Sequence, residues 1–230
     1  MTVAGMWSLL KNKKLVHNAE GANARDILEG KRIAIDMSMW IVQGTVMELT
    51  CDTRHRHFLS TGFWRLCRYK RIGVFPLGVL EGLCPKSKRR RRCDEGDFHA
   101  NLKLLSELFH MMGCPTVQAD GEAESCCSQL SQHDIVDAIE SSDSDVFPFG
   151  AKGCILKSIE YKGIWKIEYV NTSEVQMILG FGQKGMISLA LLSGCDFAPR
   201  GLKNCGIEKA LTCIKTILQF TPEERIQDFF

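Results

Sequence analysis

Apolar residues in this 230-residue chain fall into short runs that end in acids, separated by stretches with helical spacing. Ile33-Ala34-Ile35 runs into Asp36, which predicts a buried strand delivering a carboxylate at its C-terminal tip. Val74 to Leu80 is a second run and ends at Glu81-Gly82; Pro76 must then sit at the strand's start or at an edge. A strand-like Pro115–Gln118 leads to Gly121-Glu122-Ala123-Glu124, which opens a helix. Asp137-Ala138-Ile139 precedes Ser141-Ser142-Asp143-Ser144-Asp145, again an apolar run emptying into carboxylates.

Between these runs lie helices. Residues 56–68 present Phe58, Leu59, Phe63, Leu66 and Cys67 on one face. A second helix is capped by Asp97 and repeats Phe98, Leu102, Leu105, Phe109 and Met112 at 3.6-residue spacing. Residues 154–170 alternate as a hairpin turning near Lys162-Gly163. Two helices, 172–180 and 183–192, precede Gly194-Cys195-Asp196. Pro199 to Phe220 reads as helix-turn-helix, with Asn204-Cys205-Gly206 in the turn. Strands alternating with helices predict an α/β fold with a mostly parallel central sheet.

The charge total, 29 Lys+Arg against 27 Asp+Glu, does not announce a nucleic-acid partner. The distribution does. Lys86-Ser87-Lys88-Arg89-Arg90-Arg91-Arg92 reads as DNA-backbone contact, nuclear-localisation signal or solvated loop, and its place directly after Glu81 favours phosphate contact. No apolar stretch approaches the roughly 20 residues of a membrane span, so no membrane partner is expected. The first ten residues lack the positive region of a signal peptide. Eleven cysteines, with no Cys-x-x-Cys pair, read as reduced core thiols of an intracellular protein rather than as a zinc site.

In a parallel sheet ligands gather at the carboxyl ends of the strands. That is where this sequence places Asp36, Glu81, Asp143 and Asp145, with Glu122, Glu124 and Asp196 at turns or helix starts. Singly, each acid is more easily structural or solvated, since acids at helix N-termini are favoured by the macrodipole alone. Together they would repel unless cations neutralise them, and hard oxygen donors suit Mg²⁺ or Mn²⁺. The residue types alone point to metal-dependent phosphoryl chemistry.

The order of these motifs is itself informative. Ile33-Ala34-Ile35-Asp36-Met37-Ser38-Met39-Trp40, Val79-Leu80-Glu81-Gly82 with Pro85-Lys86-Ser87-Lys88, Gly121-Glu122-Ala123-Glu124, Ser142-Asp143-Ser144-Asp145 and Leu192-Ser193-Gly194-Cys195-Asp196 occur in series. The chain resembles the flap endonuclease/XPG superfamily of structure-selective nucleases, most of all its Holliday-junction-resolvase (Gen/Yen) branch.

The resemblance implies a PIN-like nuclease core. Its seven metal-site acids fall on Asp36, Glu81, Glu122, Glu124, Asp143, Asp145 and Asp196, holding two Mg²⁺ ions that Mn²⁺ can replace. Lys88 matches the basic residue that contacts the scissile phosphate, with Lys86 a second candidate, and Arg89, Arg90, Arg91 and Arg92 extend the DNA contact. Arg200 to Leu211 is similar to the family's helix-hairpin-helix element. There Gly201, Lys203, Asn204, Gly206 and Lys209 would grip duplex phosphates, and Asn204 takes a position where left-handed backbone is tolerated.

By this resemblance residues 1–95 and 96–198 are the N-terminal and internal parts of the nuclease core and 199–220 the DNA-binding element. Residues 221–230 are read as the start of a truncated C-terminal region. The implied partner is branched DNA, a flap or four-way junction on which two copies can assemble, and the implied location is the nucleus. The implied activity is Mg²⁺-dependent endonucleolytic cleavage in repair and recombination. The alternative is a catalytically impaired branched-DNA-binding module of the same fold.

Overall fold

The computed structural model of the chain describes residues 3–46, 54–83, 95–161 and 164–220. In chain order the elements are α1 (Met6–Asn12), β1 (His17–Glu20), α2 (Gly21–Leu28), β2 (Arg32–Asp36), α3 (Met37–Val46), α4 (Arg54–Arg71), β3 (Phe75–Leu80) and α5 (Glu95–Met111). They continue with β4 (Thr116–Gln118), α6 (Ala123–Gln132), β5 (Ala138–Glu140), a 3-10 turn (Ser144–Val146), β6 (Cys154–Tyr161), β7 (Ile164–Asn171), α7 (Thr172–Leu179), α8 (Gln183–Ser193) and α9 (Ile207–Phe220).

Among the described residues the strands form one seven-stranded sheet in the order β1-β7-β6-β5-β2-β3-β4. Pairs β2–β3, β2–β5, β3–β4 and β5–β6 are parallel, whereas β6–β7 and β1–β7 are antiparallel. The mostly parallel α/β fold expected from the strand–helix alternation is therefore present. Chain order runs outward from β2 through β3 to β4 on one side and through β5 to β6 on the other. The gap between β2 and β5 is thus a switch point, where open α/β sheets bind ligands.

Both sheet faces are covered, and the period-two geometry of a strand sorts the core into two layers. On β2, Ala34 joins the layer containing Leu9, Leu10, Cys127, Leu189 and Ile214, while Ile33 and Ile35 join Trp40, Leu66, Leu105 and Phe109 on the other face. Ile139 and Ala138 on β5 divide in the same way. No single helix among the described residues is long and apolar enough to cross a membrane.

Pro76 obeys the edge rule inside a central strand. Phe75 N–H donates to Lys31 O on the β2 side and Gly78 N–H to Pro115 O on the β4 side, so the N–H that Pro76 lacks would point toward β4. Pairing with β4 starts only at Gly78 opposite Thr116, and no ladder bond is lost.

Some expectations need correction. Asp97 is not a cap: α5 starts at Glu95, and Asp97 lies inside its first turn. Of the helix-turn-helix expected over 199–220 only the second arm is helical. Residues 199–206 run through turns, with Gly201 at φ 50° and Asn204 at φ 60°, and a right-handed helix accommodates neither value. The arm that precedes the turns and packs on α9 is α8. Cys114 and Cys127 are buried free thiols as expected, but Cys213 is exposed. The hairpin turn at Lys162-Gly163 lies outside the described residues.

Candidate metal and nucleic-acid site

Each strand beside the switch point ends in an acid for a local reason. Asp36 closes β2 and immediately starts α3, so its carboxylate accepts from two backbone N–H groups of that first turn, Ser38 at 3.0 Å and Met39 at 3.4 Å, through Oδ1. Its Oδ2 accepts from the Ser141 hydroxyl at 3.1 Å, at the end of neighbouring β5. Ser141 Oγ in turn accepts from the Asp143 N–H at 3.1 Å, and Asp143 Oδ1 caps the 3-10 turn through the Asp145 N–H at 3.0 Å. One hydroxyl thus ties two acid-bearing strand ends together.

Glu81 follows β3. Its Oε2 lies 3.4 Å from Ser38 Oγ and accepts at 3.1 Å from the N–H of Ala123, the first residue of α6. The loop carrying it approaches the 119–121 backbone so closely that a Cβ on Gly82 would stand 2.0 Å from Ala119 O, and Gly82 N–H donates to Gly121 O at 2.7 Å. Only glycine allows this contact. It brings Glu81 to the start of α6, where Glu122 is the cap and Glu124 lies in the first turn.

The electrostatics show which acids share one field. Burial, then the Glu81 charge, pushes Asp36 up to about 7, with Asp143 adding to the effect. Burial, then Asp36 and Asp143, pushes Glu124 up to about 9, with a further contribution from Glu81. Asp36, Glu81, Glu124 and Asp143 are therefore one interacting group. Glu122, Asp145 and Asp196 are buried. Glu122 precedes the helix that carries Glu124, and Asp145 N–H donates to Asp143, whereas Asp196 sits in the loop after α8. Asp145 also lines a cavity of about 450 Å³ between α6 and α8. The Asp196 loop is anchored to the chain start, where Ala4 N–H donates to Gly194 O at 2.9 Å.

Glu124 Oε2 is buried without a hydrogen-bond partner, and hard oxygen donors that repel one another fit a divalent cation. No three acidic, histidine or cysteine side chains among the described residues already close on a single point as a ligand shell would. Asp36, Glu81, Glu124 and Asp143 stand within electrostatic reach of one another across the strand ends.

The remaining predicted residues divide. Lys86, Lys88, Arg89, Arg90, Arg91 and Arg92 lie outside the described residues. In the turn before α9, Gly201 packs where a Cβ would meet Leu192 O at 2.6 Å, and Asn204 adopts the left-handed conformation expected of it. Lys203, Asn204, Gly206 and Lys209 are exposed, and Lys209 Nζ donates to Asn204 O at 3.1 Å. Ser38, Ser141 and Trp7 were not singled out by the sequence. Ser141 could have been found as the hydroxyl between a strand and two aspartates; Trp7, whose Nε1 donates to Ser142 O at 2.9 Å, carries no local signal.

Asp36, Glu81, Glu124 and Asp143 therefore lie at the switch point, where open α/β sheets as a class bind ligands. Comparison with known proteins makes the class specific. The XPG N-terminal domain family matches residues 1–95, and the XPG I-region family matches residues 113–196. The chain belongs to the XPG/flap-endonuclease superfamily.

The protein named flap endonuclease GEN-like 1 of Arabidopsis thaliana is 31% identical over 233 residues, covering 88% of this chain and 38% of its own length. The chain spans 38%, 25% and 30% of the Arabidopsis thaliana, Mus musculus and Drosophila melanogaster GEN relatives. Human GEN1 in complex with Holliday junction DNA superposes with a TM-score of 0.78 at 25% identity, over 94% of this chain and 57% of that one. The catalytic core of Rad2 with a DNA substrate gives 0.75 at 29% identity, over 93% and 68%. A further GEN1 structure, with product DNA and Mg²⁺, shares the fold with a TM-score of 0.72 at 24% identity, over 96% and 55%.

Proposed function

We propose that this chain carries the nuclease core of a Mg²⁺-dependent, structure-selective DNA endonuclease that cuts phosphodiester bonds at flaps or four-way junctions. The observation that carries the reading is the set of mutually repelling carboxylates Asp36, Glu81, Glu124 and Asp143 at the strand ends, with Asp145 hydrogen-bonded to Asp143 and Glu122 at the start of the same helix as Glu124. Divalent ions bound there would activate water and stabilise the leaving oxygen. Asp36, fixed by Ser38, Met39 and Ser141, and Asp143, fixed through Ser141, would present preset oxygens to such ions.

Lys86 and Lys88 follow Glu81 in sequence and would meet the scissile phosphate, with Arg89–Arg92 along the adjacent backbone. The exposed turn Gly201–Lys209 would hold duplex phosphates without reading bases. Selection for branched DNA then rests on shape and bendability, and a nuclear address in 86–92 accompanies this reading.

The test is cleavage of end-labelled flap, four-way and linear duplexes in Mg²⁺. Cutting confined to branched substrates, and lost in Asp143→Ala, supports the proposal. No cutting above that variant overturns it, and binding without cutting leaves a branched-DNA-binding module.

A further inference from the structure

Lys157 stands where the row of acids ends. In sheet order the acid-tipped strands are followed by β6, which pairs in parallel with β5 through Glu140 opposite Leu156. Lys157 is therefore level with Ser141, whose N–H donates to Leu156 O at 3.2 Å. Its ammonium lies 3.5 Å above the centroid of the Trp7 ring, and that ring's N–H holds Ser142 O next to Asp143. Trp7 is fixed in turn by an edge contact with Phe147 at 6.0 Å between centroids.

A cation on an aromatic face is held in place but not satisfied, because the ring accepts none of its three hydrogen-bond donors. Opposite Lys157 on β7, Glu168 is engaged by Lys11 at 3.4 Å, and the ammonium of Lys157 donates no hydrogen bond among the described residues. Burial lowers its affinity for a proton, while Glu168 and Asp143 favour the charged form and Lys11 opposes it. The result is a positioned, half-desolvated cation at the same sheet edge as the acids, one strand beyond them. Its chemistry suits an anionic oxygen with open lone pairs.

We propose that Lys157, seated on Trp7, binds a backbone phosphate of the DNA strand that enters the acid-lined edge. This contact rests on the nuclease reading and adds to it a phosphate-binding position on the side away from residues 86–92. The experiment measures affinity of the whole chain for a labelled flap and a four-way junction across a salt series, with Ca²⁺ in place of Mg²⁺, for wild type, Lys157→Met and Lys157→Arg. Methionine keeps an apolar stem on Trp7 and removes the charge.

The expected result is weaker binding by Lys157→Met to both substrates and a salt slope reduced by about one phosphate contact, with Lys157→Arg restoring both. Lys157→Met with wild-type affinity and slope, in a protein whose cleavage Asp143→Ala still abolishes, overturns this contact and leaves the nuclease reading standing. A reduced slope in Lys157→Arg equal to that of Lys157→Met also overturns it, since the charge would then not be the cause. Wild type that prefers no branched DNA over linear duplex overturns both.

Discussion

Strand β2 begins and ends with ionisable residues in opposite circumstances. At its amino end Arg32 engages Asp137 at 2.7 Å and 3.0 Å through two guanidinium nitrogens, and the same carboxylate accepts the Arg32 N–H at 2.8 Å. That partnership, the Arg32 hydrogen bond first, holds Asp137 down to about 2. At its carboxyl end Asp36 is buried among other acids and is pushed up to about 7. One residue type at two ends of the same strand pair thus departs from its ordinary value in both directions. The difference separates a charge whose counter-ion lies in the chain from a charge buried among other acids.

The largest effect that tests this contrast is catalytic. Asp143→Ala removes an oxygen donor and the cap of the 3-10 turn, and cleavage of branched DNA should fall on the order of 10³-fold, as measured by single-turnover kinetics. Lys70 lies with Arg32 and Phe75 at the opposite, amino end of the strands, and Lys70→Met should leave the rate unchanged.

The next effect concerns stability. Asp36 has a folded-state value of about 7, above the unfolded value of about 3.9, so the unfolded chain gives up the proton first and stability falls as pH rises from about 4 to about 7. In chelator at pH 7.5, Asp36→Asn should therefore stabilise the protein by a few kcal/mol, on the order of 2–4, and flatten its pH dependence in that window. Thermal melting across the pH range checks it.

Asp137→Asn should act in the opposite sense. Its depressed value means the stabilising ion pair is fully present above about pH 4 and is lost as pH falls through about 2. The Asp137 side chain is 35% exposed, so solvent screening limits the contribution to about 1 kcal/mol, read as a modestly lower melting temperature at neutral pH. The smallest effect lies farther away. Lys209→Gln in the turn before α9 should leave melting unchanged and lower the salt slope of DNA binding by about 1.

Much of the carboxyl edge was legible because its signal is local. A buried strand shows as three apolar residues, and its tip shows as the acid that follows, as in Ile33-Ala34-Ile35-Asp36. The series of such tips carried the family resemblance, and the fold followed. Edge strand β1 (His-Asn-Ala-Glu) was not legible, since only Ala19 faces the core and pairing with β7 supplies the strand. The first turn of α5 was misread at Asp97 because an acid suits both the cap and the turn that follows it. The hydroxyl link Ser141, the Trp7–Ser142 bond and the neighbouring place of Lys157 depend on contacts between residues 15 to 150 positions apart, and no spacing rule reports them.

The most direct test of the acid edge as a divalent-metal site is the melting temperature of wild type and Asp36→Asn, each measured in chelator and in Mn²⁺. In chelator the variant should melt higher, because one repelling charge is gone. In Mn²⁺ at about 100 times its Kd, wild type should gain about 2.7 kcal/mol and the variant much less, so that the gap closes or reverses. Equal Mn²⁺ shifts in both proteins, or none in wild type, would contradict a metal site built on these carboxylates.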